Sequence, residues 1–221
     1  MKQKLSKRLA AEFIGTAMLL ATVVGSGIMA ERLAGGNGAV ALLANTIATG
    51  AALFALILSF SQISGAHFNP AVTMCEAINR SIKLRETIGY VFAQLAGAIT
   101  GVAAANAMFD LPVLLASTKV RTGGSQWFSE FIATFGLIAV IIAVSRIRSQ
   151  FAVPAAVAAY ITAAYWFTAS TSFANPAVTV ARSLTDTFAG IRPLDAPAFI
   201  AAQIVGALAA TFVLRWLLDE K

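Results

Sequence analysis

Apolar residues fill long runs of this chain, and polar residues gather in the short stretches between them. Runs at about 9–29, 39–61, 87–109, 127–145, 151–169 and 196–218 can each cross a hydrocarbon core of roughly 30 Å as a helix. Two shorter apolar segments, about 66–78 and 174–185, follow the second and fifth runs. They are too short to cross, which predicts re-entrant half-helices. The first run has a basic flank but continues for roughly 20 residues without a convincing cleavage site, so it reads as a membrane helix rather than a leader. The expected fold class is an all-α membrane protein with six transmembrane helices plus two re-entrant half-helices.

The second half of the pattern repeats the first. Asn69-Pro70-Ala71-Val72-Thr73 in one short segment returns as Asn175-Pro176-Ala177-Val178-Thr179 in the other. Glu12-Phe13-Ile14-Gly15-Thr16 in the first run is echoed by Glu130-Phe131-Ile132-Ala133-Thr134, and Gln94-Leu95-Ala96-Gly97-Ala98 by Gln203-Ile204-Val205-Gly206-Ala207. Each half therefore reads span, span, half-helix, span. Three spans are an odd number, so the second copy enters from the opposite face as an inverted repeat. Residues 1–221 read as a single membrane domain, with repeat one at about 1–110 and repeat two at about 125–221.

An Asn before a Pro starts a helix. The side-chain oxygen caps a first-turn amide, and Pro suits the position that needs no donor. The Asn keeps two amide hydrogens to offer elsewhere. The preceding residues, Gly65, Ala66 and His67 in one copy and Ser172, Phe173 and Ala174 in the other, are expected to be extended with free carbonyls. Such backbone survives at membrane depth only where it is buried in protein or lines a watery cavity. Capping of buried helices and lining of a pore are both compatible with these asparagines.

Composition narrows the class. Of 221 residues, 58% are hydrophobic and 12% charged, too apolar for an ordinary soluble domain. The net charge of +6 flanks apolar spans and forms no interleaved basic and aromatic patch, which argues against nucleic acid as a partner. A cytoplasmic N-terminus puts Lys2, Lys4, Lys7, Arg8, Arg80, Lys83, Arg85, Arg146, Arg148, Arg215 and Lys221 inside. It leaves only Arg32, Lys119, Arg121, Arg182 and Arg192 outside, so both termini are expected in the cytoplasm. The single cysteine, Cys75, allows no internal disulfide. Neither a metal-ligand cluster, nor a phosphate loop, nor a nucleophile with a base beside it is apparent, so an enzyme, a metal site and a cofactor are not expected.

Paired Asn-Pro-Ala motifs, the preceding Ser64-Gly65-Ala66-His67-Phe68, the matched glutamates and the six-span inverted repeat resemble the aquaporin family of water and neutral-solute channels across essentially the whole chain. The resemblance implies a homotetramer with a pore in each subunit. It gives Glu12 and Glu130 the role of supporting the re-entrant loops, although ionisable groups within spans are also what an ion-coupled transporter would use. His67 resembles the family's inner pore-lining histidine, with packing and gating roles both open. The filter positions fall on Thr49, Ala163, Ser172 and Val178. Most of the family has arginine where this chain has Val178, so a wide filter is expected unless Phe173, Tyr165 or Trp166 turns inward. Arg182 lies further along the same half-helix, about 10 Å above Asn175 at 1.5 Å per residue, and is expected in the outer vestibule reaching interfacial water.

The second block, continuing to Asp186, resembles the bacterial aquaglyceroporin branch associated with arsenic resistance. That branch conducts trivalent arsenic hydroxides, and arsenite is an uncharged hydroxylated molecule near neutral pH. The expected partners are thus water, polyols such as glycerol and metalloid hydroxides, with the bacterial inner (plasma) membrane as the location. A water-selective channel and a coupled transporter are the alternatives. An arsenic–thiolate role and simple packing are both conceivable for Cys75. Gly97, Gly101 and Gly206 predict close helix contacts, and Gln94 and Gln203 are candidates to hydrogen-bond across the repeat.

Overall fold

A computed structural model describes residues 3–147 and 149–218; Lys2, Arg148 and Lys221 of the charge argument lie outside the described residues. The elements are α1 (Leu5–Leu33), α2 (Gly38–Ser64), the short α3 (Pro70–Ile78), α4 (Leu84–Met108), α5 (Gly124–Val144), α6 (Ala152–Phe167), the short α7 (Pro176–Arg182) and α8 (Ala196–Leu218), with one 3-10 turn at Pro193–Asp195. The chain between α1 and α2 reverses through Gly35 and Gly36, both at positive φ. Asn37 then caps α2 by accepting the Ala39 and Val40 amides at 3.1 and 3.2 Å.

Five helices, α1, α2, α4, α5 and α8 with the preceding turn, are long and apolar enough to cross a membrane. The sixth, α6, has 16 residues and rises about 24 Å. It stops before the predicted limit at 169 because Thr168 turns extended, at φ −111° and ψ 139°, and starts the chain into the re-entrant loop.

Packing follows the repeat. Helix α1 lies against α2 and α4, α5 lies against α6 and α8, and α2 meets α6 across the middle. Half-helix α3 sits on α4 and α8, while α7 sits on α8 and α4, and the two touch each other. Each half-helix is thus wedged between both repeats. Glycines let helices approach closely. A Cβ on Gly97 would collide with the Phe13 carbonyl, and one on Gly206 with the matching Phe131 carbonyl. Cys75 faces α8, where its thiol contacts Thr211 Oγ1 at 3.1 Å and packs with Ala207 and Ala210, away from the cavity described below.

A candidate solute pathway between two capped half-helices

The first helical turn of each short segment is built by its asparagine. Asn69 Oδ1 accepts the Ala71 amide at 2.9 Å, and Asn175 Oδ1 accepts the Ala177 and Val178 amides at 2.9 and 3.3 Å. Pro70 and Pro176 occupy the next position. One hydrogen of each side-chain amide crosses to the other repeat. Asn69 Nδ2 donates to the Ala174 carbonyl at 2.7 Å and Asn175 Nδ2 to the Phe68 carbonyl at 2.8 Å. The two helix starts are therefore tied to one another, and one hydrogen per asparagine remains uncommitted.

Ahead of each asparagine the backbone is strained. Ala66 and Phe68 in one loop, and Ser172 and Ala174 in the other, have φ between 48° and 51°. Non-glycine residues reach this region at a cost of about 1–2 kcal/mol each, so something must hold them. Two fully buried glutamates do. Glu12 Oε1 accepts from Ser64 Oγ at 2.6 Å and the His67 amide at 3.0 Å, while Oε2 accepts from the Phe68 amide at 2.7 Å and Gln94 Nε2 at 2.8 Å. Glu130 Oε1 accepts from the Phe173 amide at 2.9 Å, and Oε2 from the Ala174 amide at 2.9 Å and Gln203 Nε2 at 2.6 Å. Several donors per carboxylate offset the cost of burying the charge.

Gln94 and Gln203 do not bridge the repeats. Each bonds within its own, to Thr73 Oγ1 at 2.9 Å and Thr179 Oγ1 at 2.8 Å respectively, as well as to its own repeat's glutamate. The packing of α1 on α4 and of α5 on α8 brings each glutamine to the nearer carboxylate.

Between the half-helices and α1, α2, α5 and α6 runs a cavity of about 400 Å³. One side is apolar, from Leu19, Val23, Leu53, Ile57, Leu137, Val157 and Ile161. The other carries Asn69, Asn175 and the two loops. Among the described residues, the carbonyls of Gly65, Ala66, His67, Ser172 and Phe173 accept no hydrogen bond, whereas that of Ala174 is taken by Asn69. At one end lie Gln62, Glu76, Ser145, Ser149 and Gln150; at the other lie Thr49, Tyr165, Phe173, Val178 and Arg182. His67 lines the cavity half-buried, its Nδ1 3.1 Å from Thr73 Oγ1.

Three of the four filter residues named from the sequence, Thr49, Ser172 and Val178, line this cavity. Ala163 does not; it is exposed on the outer side of α6. The inward stripe of α6 is Val153, Val157, Ile161 and Tyr165, spaced four residues apart, and Ala163 lies about half a turn from it. That stripe is the signal that could have located Tyr165, whose hydroxyl stands 3.2 Å from Thr49 Oγ1. Trp166 points outward.

Arg182 also departs from expectation. Only 2% exposed, it does not reach interfacial water. Its Nε donates to the Ala189 carbonyl, and its guanidinium carbon lies 3.4 Å from the centre of the Phe173 ring. The loop that folds back after α7 covers it: the Ile191 amide donates to the Arg182 carbonyl at 3.3 Å. Arg121, from the α4–α5 connection, sits 5.1 Å from the same ring and donates to the Gly190 and Ser170 carbonyls at 2.9 and 3.1 Å. Nearby Lys119 donates to the Phe188 carbonyl at 2.6 Å; burial, with Arg121 and Arg182 adding repulsion, pushes its ammonium down to about 8.

Residues 1–172 and 146–221 each match the family described as major intrinsic protein. The chain belongs to that family. It is accordingly a multi-pass membrane channel for small neutral solutes. Among the family's members it is 56% identical to "Aquaglyceroporin AqpS" of Rhizobium meliloti (strain 1021), over 97% of this chain and 91% of that one. It is 34% identical to "Glycerol uptake facilitator protein-like 6" of Lactiplantibacillus plantarum, over 93% and 95% of the two chains. The solved aquaglyceroporin of Plasmodium falciparum superposes with a TM-score of 0.72 at 22% identity, covering 95% of both chains, and so shares this aquaporin fold.

Proposed function

We propose that this chain is a passive aquaglyceroporin-type channel whose wide filter admits trivalent arsenic hydroxides or related metalloid hydroxides, with glycerol and water. The observation that carries the reading is Val178 on the cavity wall at the position where most of the family has a filter arginine. A hydroxylated solute would give up water for the free loop carbonyls on one side and the remaining Asn69 and Asn175 hydrogens, while its carbon or metalloid body slides along the apolar wall. Ions would lose hydration that this wall cannot replace, and the positive half-helix starts oppose cations. Thr49, Ser172 and Val178 would form the filter, and Glu12 and Glu130 would keep the loops in place. The 56% identity to a protein named an aquaglyceroporin supports the solute class. We further propose a homotetramer in the inner membrane with both termini cytoplasmic.

A water-selective channel is the second reading, and the inward Tyr165 beside Thr49 favours it. Swelling of proteoliposomes with water, glycerol and arsenite separates the two. The proposed channel passes all three without saturation or dependence on an ion gradient, whereas flux of water alone supports the alternative. Val178→Arg should cut glycerol flux about tenfold more than water flux, the effect of about 1.4 kcal/mol on a barrier. An equal loss of both, or of neither, would remove Val178 from the filter.

A further inference from the structure

Helices α1 and α4 begin on the same face of the molecule and pack along one another. Their first turns are joined: Arg8 Nη1 donates to Glu86 Oε1 at 3.0 Å, and Arg8 Nε to the Tyr90 hydroxyl at 2.8 Å. Around that joint stand exposed basic residues, Lys4 and Lys7 within four positions of Arg8, and Lys83 and Arg85 within three of Glu86. Arg80, also exposed, lies in the turn that leads into α4. Among the described residues none of these five side chains makes an ion pair. Glu86, the carboxylate in their midst, is committed to Arg8 and to the Lys83 amide at 3.3 Å, so the positive charge of the patch is left without an anion. Elsewhere on the same face, the described ends of α5 and α8 offer Arg146, which donates to the Leu218 carbonyl at 2.9 Å, and Arg215.

Beneath the patch the outer surface of α4 is apolar. Leu84, Ile88 and Phe92 are 75%, 52% and 69% exposed, and their four-residue spacing puts them on one stripe about 12 Å long. In a membrane channel such a stripe faces acyl chains, which are as apolar as leucine. The stripe starts between Lys83 and Arg85, whose long stems can follow apolar surface while their charged ends reach the headgroup level. A cluster of cations at the membrane end of a helix attracts anionic headgroups, whereas a zwitterionic headgroup brings its own cation and gains less.

We propose that the edge formed by α1 and α4 is a binding surface for an anionic phospholipid. The headgroup phosphate pairs with Lys83 and Arg85, Lys4 and Lys7 add attraction from α1, and one acyl chain lies along Leu84, Ile88 and Phe92. A lipid held by both helices braces a joint that leads to the first re-entrant loop, because the Tyr90 hydroxyl donates to the Ser64 carbonyl at 2.7 Å and Ser64 Oγ to Glu12 at 2.6 Å. Its effect therefore falls on stability. The inference needs the chain to be a membrane channel and is independent of the width of its filter.

The test is the thermal unfolding midpoint of the purified full chain in neutral detergent, titrated with phosphatidylglycerol or with phosphatidylcholine of the same acyl chains. Phosphatidylglycerol should raise the midpoint of the wild type by about 2–4 °C at levels where phosphatidylcholine shifts it little, and added salt should shrink the gain. Lys83→Gln combined with Arg85→Gln should need about tenfold more phosphatidylglycerol for half the gain. Arg215→Gln, at the end of α8, should need the same amount as the wild type. Equal shifts from the two lipids, an unchanged dose in the double variant, or a loss in Arg215→Gln as large as the double variant's would overturn the site. Inorganic phosphate reproducing the gain would overturn it too, since the apolar stripe would then play no part. If the double variant does not fold, Lys7→Gln and Lys83→Gln carry the decision singly, each expected to raise the dose about threefold, and unchanged doses in both defeat the proposal.

Discussion

At the scale of single residues, the positions that matter are polar groups placed where bilayer depth makes an unpaired group expensive. Glu130 is the sharpest case, since the Phe173 and Ala174 amides and Gln203 all converge on it. Glu130→Ala should leave those donors unpaired and release residues held at positive φ, destabilising the protein by about 3 kcal/mol or more. Glu130→Gln, with one acceptor oxygen left, should cost less. The apparent midpoint of thermal unfolding in detergent reports the order, and an alanine variant that melts with wild type would mean the loop holds itself. The residue identities were readable in the sequence because each stands in a duplicated local motif. Their partners were not: nothing in the chain order told Gln94 to choose Glu12 over a partner across the repeat, and nothing showed that half of each asparagine's donor capacity ties the half-helices together.

For the elements, the sequence specified type and number better than rotation. Long apolar runs became helices close to where they were expected, since hydrophobic length is a local property. The short α6 ended early at Thr168, and its rotational setting sent Tyr165 inward and Ala163 outward. A helix that is apolar all round carries no internal mark of which face looks at the pore. Close packing does leave a mark, in glycine. Gly206→Leu should force α5 and α8 apart at the Phe131 carbonyl, overpacking by about 1–3 kcal/mol or more. The expected outcome is a lower yield of monodisperse protein on size exclusion, with Gly206→Ala milder; a leucine variant that purifies and melts normally would show that the contact yields easily.

In the whole molecule, the two repeats enclose one amphipathic passage, and the orientation proposed for it rests on charge. Described basic residues such as Lys4, Lys7, Arg80, Lys83, Arg85, Arg146 and Arg215 belong to the side assigned to the cytoplasm. A reporter that is active only in the periplasm should therefore be silent when fused after the C-terminus and active when placed in the loop between α4 and α5. The reverse pattern would overturn the proposed orientation. The sequence by itself determined the helical membrane class, the duplication, the two capped half-helices and the buried glutamates, because spans, caps and repeats are written in neighbouring residues. Only the tertiary structure decided that Arg182 turns inward onto Phe173, that Tyr165 replaces Ala163 on the cavity wall and that each asparagine spends a hydrogen on the opposite loop. Those outcomes depend on helix rotation and on contacts between segments far apart in the chain, and local pattern encodes neither.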